Sequence, residues 1–128
     1  MAEIISISLN KEILEDMDFI QKELSFSGRS EIVRAGLRSL IEEHKNLKNQ
    51  SGIVEGTLIV THKEENTNEF SKIKHSAHAL VKTHIHHELD NHICMEILLF
   101  KGESEAVKEL YKKFMSSRKI DLVKVVIS

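Results

Sequence analysis

Two segments with the side-chain alternation of a β-strand, separated by a short polar segment, lie in the stretch LVKTHIHHELDNHICMEILLF, residues 80–100. The alternation predicts a strand over residues 80–88 and a returning strand over residues 93–100. The four residues between them, 89–92, are predicted to form the turn. This hairpin decides the fold, because the flanking segments must pack on the sheet that it starts.

The two predicted strands bring possible metal ligands to one face of the sheet. Successive side chains of a strand point to opposite faces, so His84, His86 and Glu88 share one face. On the returning strand, Cys94 and Glu96 likewise share a face. The residues that we expect to pack under helices are the apolar ones between them, Met95, Ile97 and Leu99. The ligand candidates are therefore predicted to lie on the helix-free face, where a second subunit would dock.

Residues 74–96 hold six of the eight histidines and the only cysteine. Neutral imidazole and thiolate suit nickel, zinc, cobalt and copper far better than magnesium or calcium, so a transition metal is predicted. His75 falls near the end of a predicted helix on the other side of the sheet, so we expect it to reach a metal in a neighbouring subunit. We interpret His87 as a core or interface residue and His92 as a turn residue. The remaining histidines are interpreted as plain surface residues: His44, His62 and His78.

Helices and strands are predicted on both sides of the hairpin. A strand over residues 56–61 and a helix over 67–78 precede it, and a helix over 104–116 and a strand over 120–127 follow it. The order βαββαβ is the ferredoxin-like arrangement, one antiparallel sheet with both helices on one face. The other face then needs a partner, which a second subunit would supply.

A smaller unit precedes this domain. Residues 4–9 alternate apolar and hydroxyl side chains and predict a strand, after which Asn10 caps a helix. Ser30 is predicted to cap a second helix, which ends in a polar linker. We therefore expect an α+β chain of two domains, residues 1–48 and residues 53–128. A strand–helix–helix unit of this size has too little core to stand alone, so two chains are predicted to pair their strands and interlock their helices.

The composition sets limits on location and partners. The formal net charge is −2, and the first fifty residues hold seven basic and nine acidic side chains, so DNA binding would depend on a local surface. The chain has no run of eighteen apolar residues and no signal-peptide pattern, which predicts a cytoplasmic protein without a membrane partner. A single cysteine cannot form an internal disulfide, as expected in a reducing compartment.

The N-terminal segments I-S-I-S-L-N-K-E-I-L-E-D-M-D and G-R-S-E-I-V-R-A-G-L-R resemble the ribbon-helix-helix DNA-binding family. Joined to a βαββαβ domain that carries K-H, H-x-H, H-x-C-x-E and K-G, the whole chain resembles the NikR family of nickel-responsive transcriptional regulators. The resemblance implies a ribbon-helix-helix domain followed by a ferredoxin-like, ACT-like domain, assembled as a homotetramer (a dimer of dimers). It also implies that paired strands read a double-stranded DNA operator. Ser6 and Ser8 would then contact bases, and phosphates would meet Arg29, Ser30 and Arg34.

The same resemblance implies a metal site made of one histidine from one subunit and an H-x-H pair and a cysteine from another. Aligned without gaps, His75, His86 and Cys94 occupy three of these positions, and Glu88 stands at the fourth. Alternatively, the literal H-x-H pair, His84 and His86, supplies the two histidines. The sequence leaves both sets open. Nickel is the metal that the resemblance implies, and the donor types also suit zinc, cobalt or copper.

These interpretations favour a metal-responsive regulator that represses metal-uptake genes. The alternative is a regulator whose ACT-like domain binds a small-molecule effector, and the histidine and cysteine pattern argues against it. An enzyme that activates water on its metal is disfavoured, because the sequence offers no dedicated pair of acid and base residues beyond Glu88 and Glu96.

Overall fold

A computed structural model describes residues 2–128, which divide into two compact units. The N-terminal unit ends at Glu42, and the C-terminal unit is Glu43–Ser128. The helices and strands in chain order are α1 (Lys11–Glu23), α2 (Arg29–Lys48), β1 (Ile53–Lys63), α3 (Thr67–His75), β2 (Val81–Glu88), β3 (Ile93–Glu103), α4 (Ser104–Ser116) and β4 (Leu122–Ile127). No helix in this part of the chain is both long enough and apolar enough to cross a membrane.

Local side-chain chemistry explains where the N-terminal helices begin. The Asn10 side chain accepts a hydrogen bond from the backbone N–H of Ile13 at 2.8 Å, which is the predicted cap of α1. α2 begins at Arg29, so Ser30 lies in its first turn, and the prediction that Ser30 precedes the helix as its cap is wrong. Residues 2–9 form no strand in this single chain. A strand there needs a partner strand from a second chain, so the strand over residues 4–9 stays a prediction.

The N-terminal unit leaves most of its apolar side chains uncovered. Met17 of α1 is buried, but Leu37, Leu40 and Ile41 of α2 are each about half exposed. Ile7 lies on the extended segment before α1 and is also more than half exposed. Contiguous apolar surface of this kind is uncommon on a monomer and marks a place where another chain packs.

The C-terminal unit is a four-stranded sheet in the order β2-β3-β1-β4, with every neighbouring pair antiparallel. α3 connects β1 to β2, and α4 connects β3 to β4. Each of these connections skips one strand, since β3 lies between β1 and β2 and β1 lies between β3 and β4. The predicted α+β class and antiparallel sheet are confirmed, and the arrangement is consistent with an ACT-like domain.

The face of β3 that the helices cover is the opposite of the predicted one. Cys94 and Glu96 are buried together with Leu98 and Phe100, whereas Leu99 is 41% exposed. The core on this covered face includes Leu58, Val60, Phe70, Leu98, Leu110 and Phe114. The prediction that the ligand candidates lie on the helix-free face is therefore wrong. It fails for Cys94 and Glu96, and also for His84, His86 and Glu88, which pair with Leu98, Glu96 and Cys94 and so share the covered face. β3 is apolar on both faces, so its own alternation does not decide which face the helices cover.

The helix-free face still presents apolar side chains to solvent. Ile85 of β2, Leu99 of β3 and Val126 of β4 are all well exposed on it, and their register pairs place them on the same side of the sheet. We call these three residues the open sheet face. An antiparallel sheet can leave one face in water, but that face is then usually polar.

Gly56 lies where β1 passes very close to β4. A Cβ at this position would collide with the backbone carbonyl oxygen of Val126 and lie 2.8 Å from the Phe100 ring. We therefore expect Gly56→Ala to lower the free energy of unfolding by about 1–3 kcal/mol, because the sheet must shift to admit the methyl group. Chemical denaturation followed by circular dichroism measures this change.

Gly36→Ala is the matched control for that variant. No heavy atom lies within 4 Å of a Cβ at Gly36, and alanine is favoured over glycine inside a helix such as α2. The control is expected to be as stable as the wild type or slightly more stable. A Gly56→Ala protein as stable as the wild type would contradict the close approach of β1 and β4.

Candidate metal centre

Three histidines surround the buried carboxylate of Glu96, which is 1% exposed. His84 Nε2 lies 3.1 Å from Glu96 Oε1. His86 Nδ1 lies 2.5 Å from Oε1 and 2.8 Å from Oε2. His62 Nε2 lies 3.5 Å from Oε2. We call His62, His84, His86 and Glu96 the Glu96 cluster. It spans β1, β2 and β3, because Glu96 pairs with Val60 on one side and with His86 on the other.

His62 is the member of this cluster that sequence reasoning missed. Its side chain is 0% exposed, and its ring stacks on Phe70 of α3 with centroids 5.1 Å apart. Its Nδ1 donates a hydrogen bond to the Lys63 carbonyl oxygen at 2.8 Å. The interpretation of His62 as a surface residue is wrong. A signal was present in the sequence, since His62 shares its strand face with Leu58 and Val60.

Cys94 lies beside the cluster and is 2% exposed. In the strand register it pairs with His62 on β1 and with Glu88 on β2. Burial raises the pKa of the Cys94 thiol, the negative charges of the nearby carboxylates raise it further, and a hydrogen bond with Thr67 opposes them. A coordinated metal cation reverses this balance, because a thiol that binds a metal does so as the thiolate.

A second, exposed group lies at the tip of the β2–β3 hairpin. Ligand atoms of Glu64, Glu88 and His92 lie within 4.8 Å of one another. His92 Nδ1 is 3.0 Å from Glu64 Oε2 and 3.7 Å from Glu88 Oε1. Asn91 and His92 adopt left-handed backbone angles, φ 64° and 59°, which complete the turn. His92 is thus a turn residue that also contacts two carboxylates.

His75 is the last residue of α3 and is exposed. It is not a member of the Glu96 cluster. The structure therefore joins His84 and His86 through one carboxylate and pairs Cys94 with Glu88, while His75 stands apart at the helix end. That His75 acts across a subunit boundary stays a prediction.

The donor set fits a late first-row transition metal. Imidazole nitrogen, cysteine sulfur and carboxylate oxygen together suit nickel, zinc, cobalt and copper. His62 Nδ1 donates to the Lys63 carbonyl oxygen, and its Nε2 lies 3.5 Å from Glu96 Oε2, so the ring is held between the backbone and the carboxylate.

The residues predicted to contact DNA lie in the N-terminal unit, and both arginines pair with carboxylates of the same unit. Arg29 donates from Nε and Nη2 to the two carboxylate oxygens of Asp18, at 3.1 and 3.2 Å. This hydrogen bonding raises the pKa of Arg29. Arg34 donates to Glu31 one turn before it on α2. Exposed ion pairs are weak, so both arginines can exchange these partners for phosphate. Ser6 and Ser8 are exposed on the extended segment before α1.

Comparison with known proteins places this geometry in a family. The model of the NikR C-terminal nickel-binding domain matches residues 56–128. A Methanococcus maripaludis protein named "Putative nickel-responsive regulator" is 32% identical over 126 residues, which cover 96% of this chain and 89% of the relative. A protein of the same name from Solidesulfovibrio magneticus is 31% identical over 126 residues and covers 95% and 89% of the two chains.

A solved structure gives independent support for the fold. The uncharacterized protein TM1266 from Thermotoga maritima matches with a TM-score of 0.55 and 11% identity, over 59% of this chain and 98% of that chain. At this identity the likeness concerns the fold alone. The family match and the relatives together confirm the resemblance read from the sequence, and they also confirm that the chain is not an enzyme. The chain belongs to the NikR family of nickel-responsive regulators.

Proposed function

We propose that this protein is a nickel-responsive, DNA-binding transcriptional repressor of metal-uptake genes that works in the cytoplasm. The observation that carries the proposal is the metal centre. His84 and His86 share one buried carboxylate, and Cys94 lies on the same covered face of the sheet, in the domain that matches the nickel-binding family. Membership of a regulator family supplies the role, and the N-terminal unit supplies a surface for DNA.

The proposal treats the N-terminal unit as half of a ribbon-helix-helix dimer. Its exposed apolar residues, Ile7 and those of α2, would be buried by a second copy, and the segments before α1 would pair as antiparallel strands. Burial of an aliphatic side chain contributes about 1.5–3 kcal/mol, so a few such residues on each chain are enough to favour a dimer. Paired strands of this type enter the major groove of DNA.

In that dimer Ser6 and Ser8 would face base edges, since they alternate with the apolar residues that face the helices. The N–H groups at the start of α2, near Ser30, would hold a phosphate through the positive end of the helix. Arg29 and Arg34 lie in the same turns of α2 and would add charge-assisted contacts to the phosphate backbone.

For the metal we propose a site centred on His86 and Cys94 of one chain, completed by His84 or Glu88, with His75 of the partner subunit as a further ligand. The exposed end of α3 suits donation to another chain better than to its own sheet. Nickel is the proposed metal, and zinc, cobalt and copper are the competitors that the same donors could bind. A ligand set divided between chains makes the site dependent on contact between two C-terminal units, which the proposed tetramer would supply, and the open sheet face offers an apolar surface for that association.

Nickel binding is proposed to favour one arrangement of the tetramer and so the placement of its two DNA-binding dimers. Such coupling is typically worth about 5–150-fold in affinity, and we expect nickel to raise DNA affinity within this range. Duplexes selected from a random pool with the nickel-loaded protein provide the ligand for this measurement. Fluorescence anisotropy then compares the metal-free and nickel-loaded proteins at fixed ionic strength.

Two controls define the result. A scrambled duplex of the same length reports non-specific binding, and zinc, cobalt and copper are tested at the same free concentration as nickel. If the metal-free and nickel-loaded proteins bind the selected duplex equally well, the regulatory proposal is wrong.

A further inference from the structure

The Glu96 cluster gives its two strand-β2 histidines different hydrogen-bonding partners. We infer, on the basis of the proposed nickel-binding function, that Glu96 and Lys74 assign them separate roles. His86 binds the metal through Nε2, with Glu96 as its positioning residue, while His84 supports the carboxylate and is not a ligand. The inference decides between the two ligand sets that the sequence leaves open.

Both ring nitrogens of His84 already have partners. Lys74 Nζ lies 2.8 Å from Nδ1. A lysine ammonium group has only hydrogens to donate, so Nδ1 must accept and Nε2 must carry the hydrogen of the neutral ring. That hydrogen points to Glu96 Oε1 at 3.1 Å. A metal at His84 would have to displace either the lysine or the carboxylate.

His86 has the opposite arrangement. Its Nδ1 lies within 2.8 Å of both carboxylate oxygens, so Nδ1 donates to Glu96. This leaves a lone pair on Nε2, and the side chain is 49% exposed. Metal-binding histidines almost always donate their other ring N–H to a carboxylate, a carbonyl or water, which fixes the tautomer and the ring orientation. Glu96 is buried on the inner strand β3 and holds His86 in that way.

The fourth ligand position then falls to Glu88. It lies two residues beyond His86 on the same face of β2 and pairs directly with Cys94 in the strand register. Its carboxylate is well exposed, lies 3.7 Å from His92 Nδ1 and belongs to the group with Glu64 and His92 at the hairpin tip. His86, Glu88 and Cys94 are therefore the ligands that one chain supplies, and Glu88 has to leave that group for the three ligand atoms to meet at a metal.

The tautomers can be measured without any metal. In protein labelled with ¹⁵N-histidine and held at a mildly alkaline pH, the ring nitrogen shifts should show His86 protonated at Nδ1 and His84 protonated at Nε2. Glu96→Gln keeps an oxygen acceptor and should preserve both tautomers. Glu96→Met has a similar size but no acceptor, and it should release His86 towards the Nε2-protonated form.

Nickel affinity, measured by competition with a chelator, tests the same roles. Glu96→Met is expected to weaken nickel binding by about 10–100-fold, the usual cost of losing a partner of a metal-binding histidine. Glu96→Gln should remain close to the wild type, because the hydrogen bond and not the charge positions His86. The variants His86→Gln and Glu88→Gln should lose much more affinity than His84→Gln.

The outcomes separate this inference from the function on which it rests. A wild-type protein that binds no nickel overturns the proposed function. A protein that binds nickel but loses it equally in His84→Gln and His86→Gln overturns the inference alone, as does a wild-type His86 protonated at Nε2. If Glu96→Met does not fold, the wild-type tautomers and the paired histidine variants still decide the question.

Discussion

A Cys94→Ala variant is expected to lose at least about 100-fold in nickel affinity, because residues that merely orient a ligand already cost 10–100-fold when removed. Cys94 is the only thiol in the chain, and a thiolate ligand separates transition metals from magnesium and calcium. The fold should persist, since alanine is small and apolar and Cys94 occupies a buried position. Competition with a chelator gives the affinity, and the loss of any sulfur-to-metal absorption band gives a spectroscopic check.

His87→Ala is the control for this experiment. His87 lies on the same strand as His86, pairs with Met95 and points to the opposite face of the sheet. Its removal should leave nickel affinity close to that of the wild type. Unchanged affinity in Cys94→Ala would exclude the thiol as a ligand and would leave a site made only of imidazoles and carboxylates.

Replacement of Ile7 by lysine is expected to reduce specific DNA binding to the non-specific level, a loss of about 1,000-fold or more. A charge at this position would have to be buried between two copies of the N-terminal unit, where it has no partner. The C-terminal unit is untouched, so nickel affinity should not change. Anisotropy with the selected duplex and chelator competition on the same sample therefore separate the two functions.

The matched control is the same change on the other side of the segment. Ile4 is almost fully exposed and alternates with Ile5 and Ile7, so in the proposed ribbon it faces DNA along with Ser6 and Ser8. Ile4→Lys should keep DNA binding or strengthen it, since it adds a positive charge towards phosphate. Equal DNA affinities of the Ile7→Lys and Ile4→Lys proteins would mean that Ile7 is not at a dimer interface.

The alternating sequence was enough to predict the order of helices and strands in the C-terminal unit. It also placed Cys94 and Glu96 on one face of β3 and Leu99 on the other. It did not reveal which face is covered, because residues of both faces are apolar. That choice depends on packing from elsewhere in the chain, where Phe70 of α3 stacks on Phe114 of α4 with ring centroids 5.6 Å apart. The alternation of side chains along one strand carries no information about contacts between distant segments of the chain.

The candidate site shows the same limit. His84, His86 and Cys94 could be chosen from their side chains and spacing, since their donor chemistry is local information. Glu96 and His62 could not be given roles in that way, because their importance comes from where the β1–β3 and β2–β3 registers bring them. The inferred choice of Glu88 over His84 depends on the contacts that Lys74 and Glu96 make with the two ring nitrogens of His84, and no local pattern predicts them.

The burial of Cys94 has a consequence for how fast its thiol is oxidised. Oxidation of a thiol to sulfenic acid requires an accessible thiolate. In the metal-free chain the Cys94 thiol is inaccessible, because it is 2% exposed, and it resists ionisation to the thiolate, because burial raises its pKa. Peroxide and other oxidants should therefore react slowly with the sulfur while the chain is free of metal. Cysteine is the side chain that oxidants attack most readily, and the buried position of Cys94 protects it.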